Sequence, residues 1–523
     1  MLSRTPLLRT PPFRTPPFRT RLFGTCLHRA TAGLLVGLGM LVFQVAYAAT
    51  SGPAGAMGPD DARHLLTRSG FAPTPEQIAD YAKLSRSEAV DRILAGTRST
   101  PVTAWPDELD DFVPYRIVRT MSEQQRRDAN RVNTVRGVEL RVWWLGEMLV
   151  TPSPLTERMT LFWHNHFVSS QDKVRPAKLM LQQNLTLREH ATGNFGKLLT
   201  AASKDPAMLI YLDGRNSRKG QPNENFAREV MELFTLGEGH YSERDIKEAA
   251  RAFTGWDIDG ENAKFFFRAN QHDTGVKEIF GKRGNFNGDD VLRLLLERRE
   301  TAEFISTKLW REFVSAQADK SGVQQVAGVL RDSGYEIKPA LRTLFLSDAF
   351  WAQDNRGALV KSPVDLVVGS LRSLEADVPD PLPFVRTLRQ MGQDLFAPPN
   401  VRGWPGGEWW INSSSLLDRK QFLDRLARAD DPKRMAALRR VEGSMSAANE
   451  VPMSREDLRR RAAIAVREMD VDLAGWSAEL KPLGLNADRV LLPVAAVDNG
   501  MAMADDNNAR VRALLLDPAY QLK

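Results

Sequence analysis

The residues equipped for chemistry are concentrated in the middle of the chain. Of seven histidines, five lie between His164 and His272, and the same window holds Asn184, Arg188, Asp213, Asn223, Glu224, Asn225, Arg228, Glu229, Glu232 and Asp273. In Trp163-His164-Asn165-His166-Phe167 the His-x-His spacing suits metal ligation on a strand, where residues i and i+2 share a face. The flanking pattern argues for a helix instead. Leu155, Met159, Phe162, Trp163 and His166 fall on one helical stripe, which turns His164 to the opposite side with Glu157 and Thr160. The two histidines then share an ion only if the helix ends between them. The competing reading makes His166 a hydrogen-bonded core residue and His164 a pocket or surface residue.

A second group lies in Pro222-Asn-Glu-Asn-Phe-Ala-Arg-Glu-Val-Met-Glu-Leu-Phe234. Asn223 is suited to cap a helix that places Asn225, Arg228, Glu229 and Glu232 on one polar stripe, opposite Phe226, Val230, Leu233 and Phe234. Two carboxylates three residues apart can bind a hard cation or work as an acid–base pair. The bland alternative is a solvated face on which Arg228 pairs with Glu224 and Glu232 at i,i+4. Two glycines in Leu236-Gly-Glu-Gly-His-Tyr241 then stop the helix and set His240 on a tight turn. In Gln271-His-Asp-Thr-Gly275, Asp273 either orients a histidine as base or ligand or closes an Asx turn. Trp404, Trp409 and Trp410 crowd into seven residues of a Gly/Pro-rich loop. Exposed, they form a stacking platform for a ligand; buried, they lock the loop onto its neighbours, which the rigidity of Pro and Gly favours.

The elements that must position these groups read mainly as helices. Apolar residues recur at three- and four-residue spacing in some eighteen segments, among them Arg136–Leu149, Leu155–Phe167, Lys178–Thr192, Asn225–Leu236, Glu303–Phe313, Pro363–Leu374, Lys433–Val441 and Arg455–Glu468. Turn residues between short aromatic and β-branched runs predict a small β-hairpin within 256–281. The expected architecture is mainly α: one large helical domain over residues 60–523, after a short linker at 49–59, with a charged, variable helical part at 430–475. The sequence has no phosphate-binding loop, dinucleotide fingerprint, serine-hydrolase elbow or His-Glu-x-x-His.

Charge removes a further class. The formal net charge of +6 invites a nucleic-acid reading, yet six arginines and no acid lie in residues 1–48. Without that leader the bases number 65, equal to the 65 acids, so no phosphate-neutralising surface is expected and nucleic acid is not an expected partner. The leader itself runs from a Pro/Arg-rich stretch through the apolar Ala32–Phe43 to Ala46-Tyr47-Ala48, the layout of a cleavable secretory signal. A periplasmic or secreted protein with no stable membrane span after cleavage is expected; the alternative is an uncleaved N-terminal anchor. The one cysteine, Cys26, lies in the leader, so the mature chain has neither disulfide nor thiolate chemistry.

Several stretches together resemble a family of exported bacterial proteins catalogued as domain of unknown function 1800. They are Leu161-Phe-Trp-His-Asn-His-Phe167, Asp205-Pro-Ala-Met-Leu209, Asn223 through Gly237, Ala252-Phe-Thr-Gly-Trp256, His272-Asp273, Lys308-Leu-Trp310, Lys361-Ser-Pro363 and Pro398 through Pro405. The resemblance spans nearly all of the mature chain and implies an exported, mainly helical domain without implying an activity. Members are often encoded beside a second exported family similar to sulfatases and alkaline phosphatases, which hints at a partner. Two functional readings stand. In the first, an exported hydrolase uses Glu229, Glu232, His272 and Asp273 as acid–base groups or ligands, with Arg228 holding an anionic group. Asn225, Trp404 and Trp409 would contact substrate, and His164, His166 and His240 would help bind one divalent metal ion. In the second, a non-catalytic accessory protein works with the co-encoded partner.

Overall fold

The computed structural model describes residues 55–428, 457, 460–461, 469–498 and 507–523. The leader, the helix expected at Lys433–Val441 and most of that expected at Arg455–Glu468 lie outside the described residues. The helices up to residue 150 are α1 (Gly58–Ser69), α2 (Pro75–Tyr81), α3 (Arg86–Ala95), α4 (Tyr115–Thr120) and α5 (Glu123–Val150). Then come α6 (Pro154–His164), α7 (Ala177–Glu189), α8 (Phe195–Ser203), α9 (Pro206–Tyr211), α10 (Glu224–Met231) and α11 (Glu243–Ala252). After the strands follow α12 (Gly288–Leu296), α13 (Arg299–Phe313), α14 (Lys320–Asp332), α15 (Ile337–Phe345), α16 (Asp348–Trp351), α17 (Pro363–Ser373), α18 (Leu382–Gln390) and α19 (Ser413–Leu426). Further helices at Leu473–Leu480, Ala487–Leu491 and Asn507–Leu516 close the chain. The described protein is mainly α-helical, and none of its helices is long and apolar enough to cross a membrane.

Local chemistry explains several boundaries. Helix α5 begins thirteen residues before its apolar pattern does, because Ser122 and Gln125 form a capping box. Its first turns are polar and exposed, so periodicity alone does not reveal them. Serine boxes at Ser242 and Ser362 likewise start α11 and α17. The β region holds two hairpins rather than one. Strands β1 (Trp256–Ile258) and β2 (Phe265–Phe267) pair antiparallel with Trp256 opposite Phe267. Strands β3 (Lys277–Ile279) and β4 (Lys282–Gly284) are joined by Phe280 and Gly281, both at positive φ, the backbone of a tight two-residue hairpin turn.

Two apolar cores form. One gathers α5, α17, α18, α19 and the C-terminal helices around Trp144, Phe396 and Tyr520. The other gathers α8 and α10 to α15 around Trp163, Phe234 and Trp310. Helices α6 and α7 contribute to both. Ionic groups thread this interior. Arg188 grips Glu157 through both carboxylate oxygens at 2.7 and 2.8 Å, and Trp144 Nε1 donates to the same group. Asp365 accepts from Arg158 and from Lys523 Nζ at 2.8 Å, so the Lys523 side chain is anchored inside. These cations hold the Asp365 carboxyl far below the carboxylate range despite its burial.

Candidate functional site

The stretch from Asn223 to Gly237 folds as a capped helix that changes its winding. The Asn223 side chain accepts from the backbone N–H of Asn225 and Phe226, while its amide donates to Leu212 O. After Met231 the α-helix widens into a π-turn over Glu232–Leu236, closed by Gly237 N donating to Glu232 O at 3.1 Å. π-turns inside helices are frequent at functional sites, because they displace one residue from the regular ladder. The Phe234 carbonyl, in this last turn, accepts from His166 Nε2 at 3.1 Å.

Glu229 and Glu232 sit on this element, both half-buried. Glu232 accepts a short hydrogen bond from Tyr241 and an ion pair from Arg402 at 3.4 Å. Among the described residues Glu229 has no hydrogen-bond or ion-pair partner. Burial, and then the Glu232 charge, raise its carboxyl above the usual range. Arg228 turns away to grip Glu243 with 2.8 and 2.7 Å bonds, rather than its i,i+4 neighbours. Asn225 is exposed, with its amide 3.5 Å from Leu212 O.

Four separate stretches meet at the π-turn. Asn165, at the C-cap of α6, accepts from Trp404 N at 2.6 Å, and its amide reaches Trp404 O at 3.4 Å. That contact seats the loop from which Arg402 reaches Glu232 and Glu238. Gly403 makes the approach feasible: its φ is +88°, and a Cβ there would stand 2.1 Å from Asn165 Oδ1. From α13, Lys308 Nζ donates to His166 Nδ1 at 2.8 Å, so His166 is neutral and uses its Nε2 hydrogen for Phe234. Burial, with Arg311 nearby, lowers the Lys308 ammonium to about 8.

The other nominated residues lie in different settings. Helix α6 does end between His164 and His166, but their rings diverge. His164 is buried and its Nε2 accepts from Asn184, which also accepts from Arg188 at 2.5 Å. Burial and the Arg188 charge push it down to about 3. His272 Nδ1 donates to Thr254 O at 2.9 Å. Asp273 is clamped by Arg251 Nε at 2.8 Å and capped by Gly275 N, and the Arg251 hydrogen bonds lower it to about 2. This pair forms a structural corner with α11 and makes no hydrogen bond or ion pair with Glu229 or Glu232. His240 is exposed on its turn. Among the described residues no three His, Cys, Asp or Glu side chains gather closely enough to hold a metal ion. In the tryptophan loop Trp404 and Trp410 are buried, whereas Trp409 is 81% exposed.

Sequence reasoning passed over Tyr241, Lys308 and Arg402 as site residues. Tyr241 closes the glycine turn that was noticed, so its nearness to Glu232 was within reach of local reasoning. Lys308 and Arg402 arrive from far along the chain; both lie in stretches that carry the family resemblance, but nothing in those stretches points to His166 or Glu232.

Fold and site together define a large, mainly helical protein with a half-buried carboxylate pair beside a π-turn. The chain belongs to the family described as protein of unknown function (DUF1800), whose family model matches residues 64–522. No curated protein and no solved structure matches it.

Proposed function

We propose that the protein is an exported enzyme that hydrolyses an envelope or extracellular substrate, with Glu229 and Glu232 as its acid–base pair. The observation that carries this reading is Glu229: a carboxyl partly withdrawn from water, facing a second carboxylate, and given no donor among the described residues. A group in that state is costly to the fold, and its raised carboxyl keeps a proton to higher pH than an ordinary glutamate does, which suits an acid. Glu229, protonated, gives its proton to the leaving oxygen as the scissile bond breaks. Glu232, oriented by Tyr241 and Arg402, takes a proton from the water whose oxygen forms the new bond. One water is consumed and two hydroxyl-bearing products leave, or a hydroxyl and an acid from an ester. The Lys308–His166–Phe234 chain supports the π-turn from behind and is assigned a positioning role.

The test is release of soluble fragments from isolated envelope polymer across pH 4–9 by wild type, Glu229→Gln and Glu232→Gln. Loss of turnover in both variants with unchanged far-UV circular dichroism is expected. Equal turnover in all three proteins sinks the assignment. The exposed Trp409 favours a second reading, a docking surface for a co-encoded exported partner. Trp409→Ala that abolishes co-purification of that partner while sparing turnover would support it.

A further inference from the structure

A separate cleft of about 580 Å³ opens between α5, α18 and the turn at residues 171–175. Its floor is apolar, from Val138, Leu382 and Val385, and its rim is cationic. Arg141, Arg175, Arg386 and Arg389 face it against only two acids, Asp172 and Asp394. Asp394 is already shared, at 2.6 Å from Arg141 Nε and 3.5 Å from Arg389 Nε. Arg141 is further fixed by Gly137 O and Gln171 Oε1. Arg175 and Arg386 have no hydrogen-bond or ion-pair partner among the described residues, and both are exposed on the rim. The side-chain amides of Asn130 and Asn133 line the same wall and are likewise unengaged there.

Two unpaired guanidinium forks beside free amides, above an apolar floor, form a receptor for planar or tetrahedral oxyanions. We propose that this cleft binds a sulfate or phosphate ester group carried on the backbone of an anionic polymer. Chain geometry joins it to the carboxylate pair. Lys173, in the turn that edges the cleft, donates to Tyr211 O and to Asp213 Oδ2, both at 2.8 Å. The next carbonyl, Leu212 O, accepts from Asn223 and anchors the start of α10. Burial raises the Tyr211 hydroxyl, and the charges of Glu229 and Asp172 raise it further. The cleft therefore names the substrate class for the hydrolase reading, on which that part of the inference rests; anion binding itself does not depend on it.

The experiment is a binding titration of the full protein with dextran sulfate, dextran phosphate and neutral dextran at low and high salt. At low salt, dextran sulfate or dextran phosphate binds and neutral dextran does not; the tighter of the two identifies the ester. Arg175→Ala/Arg386→Ala weakens binding at least tenfold and flattens the dependence of log Kd on log salt, since fewer counterion-releasing contacts remain. The lysine pair Arg175→Lys/Arg386→Lys retains an intermediate affinity, because charge persists but the fork is lost. Glu229→Gln binds as wild type does. Binding of neither polyanion, equal binding of neutral dextran, or unchanged affinity in the alanine pair overturns the proposal. An alanine pair that loses binding while Glu229→Gln keeps full turnover would sink the hydrolase reading alone.

Discussion

Two groups of acids in this molecule are treated in opposite ways. Glu157 and Asp365 lie in the interior, and each is saturated: Glu157 by Arg188 and Trp144, Asp365 by Arg158, Lys523 and the Ser362 backbone. Glu229 and Glu232 lie on a half-buried helical stripe, and there the pairing is incomplete. A buried charge without partners is too costly to keep, so the interior acids are structural by necessity. An acid that is only partly desolvated can be left short of donors at modest cost. That is the condition under which a fold retains a reactive carboxyl.

The contrast is most easily broken from the interior side. Arg188→Met leaves Glu157 buried and unpaired, and a loss of about 3–5 kcal/mol is expected in equilibrium denaturation. Glu157→Gln on that background should recover much of it; a loss under about 1 kcal/mol in the single variant would dissolve the distinction. Gly403→Ala forces a Cβ against Asn165 from a left-handed backbone. A cost of roughly 1–3 kcal/mol is expected. A shift in tryptophan emission from the released Trp404 should accompany it.

Acid sensitivity should also come from the interior. His64 and His164 are held neutral by burial, at about 2 and about 3, and His166 is lowered in the same direction. All three lie below the unfolded value, so their contribution is complete above about pH 6.5 and declines as pH falls. Each histidine costs about 1.4 kcal/mol per pH unit below that point. His164→Asn should lower this slope in denaturation measured from pH 7 to 5. A slope that does not change would show that His164 is not buried neutral.

Glu229→Gln should act in the reverse sense. Its carboxyl is raised, so the ionised form burdens the fold at neutral pH, and removing the charge should stabilise by roughly a few tenths of a kcal/mol while turnover is lost. Destabilisation by more than about 1 kcal/mol would reclassify Glu229 as structural. The smallest effect is expected from a chelator. No three ligands gather among the described residues, so treatment with EDTA should leave Tm unchanged; a marked fall in Tm would reveal a metal site elsewhere in the chain.

The helices were legible wherever an apolar face met a core. Periodicity locates α10 and α13 because each buries one side, α6 and α17 are apolar enough to be found although they are buried nearly all round, and the first half of α5 is missed because it buries little. The divergence of His164 and His166 was readable from helical angle, and the helix break between them did not reverse it. The tryptophan loop was half-legible: Trp404 and Trp410 are buried as the Pro/Gly pattern favours, while neighbouring Trp409 is exposed. For the candidate site, the stripe of Glu229 and Glu232 was visible. The engagement of Arg228 with Glu243 was not, because Glu243 lies on the next helix, outside the i,i+3 and i,i+4 reach that local spacing reports.

By itself the sequence determined the helical class, the capped entry to α10 and the placing of two acids on one face. Those follow from propensity, capping and a period of 3.6 residues, which act within a few turns of chain. Tertiary structure alone decided which acid is saturated and which is left open. It brought Arg402, Lys308 and Asn165 to one π-turn, sent His272 and Asp273 to a different corner, and set two unpaired arginines around a cleft. The reason is physical: charge pairing and desolvation depend on distance in space, and residues 142 or 170 positions apart, as Lys308 is from His166 and Arg402 from Glu232, leave no trace of that distance in local pattern.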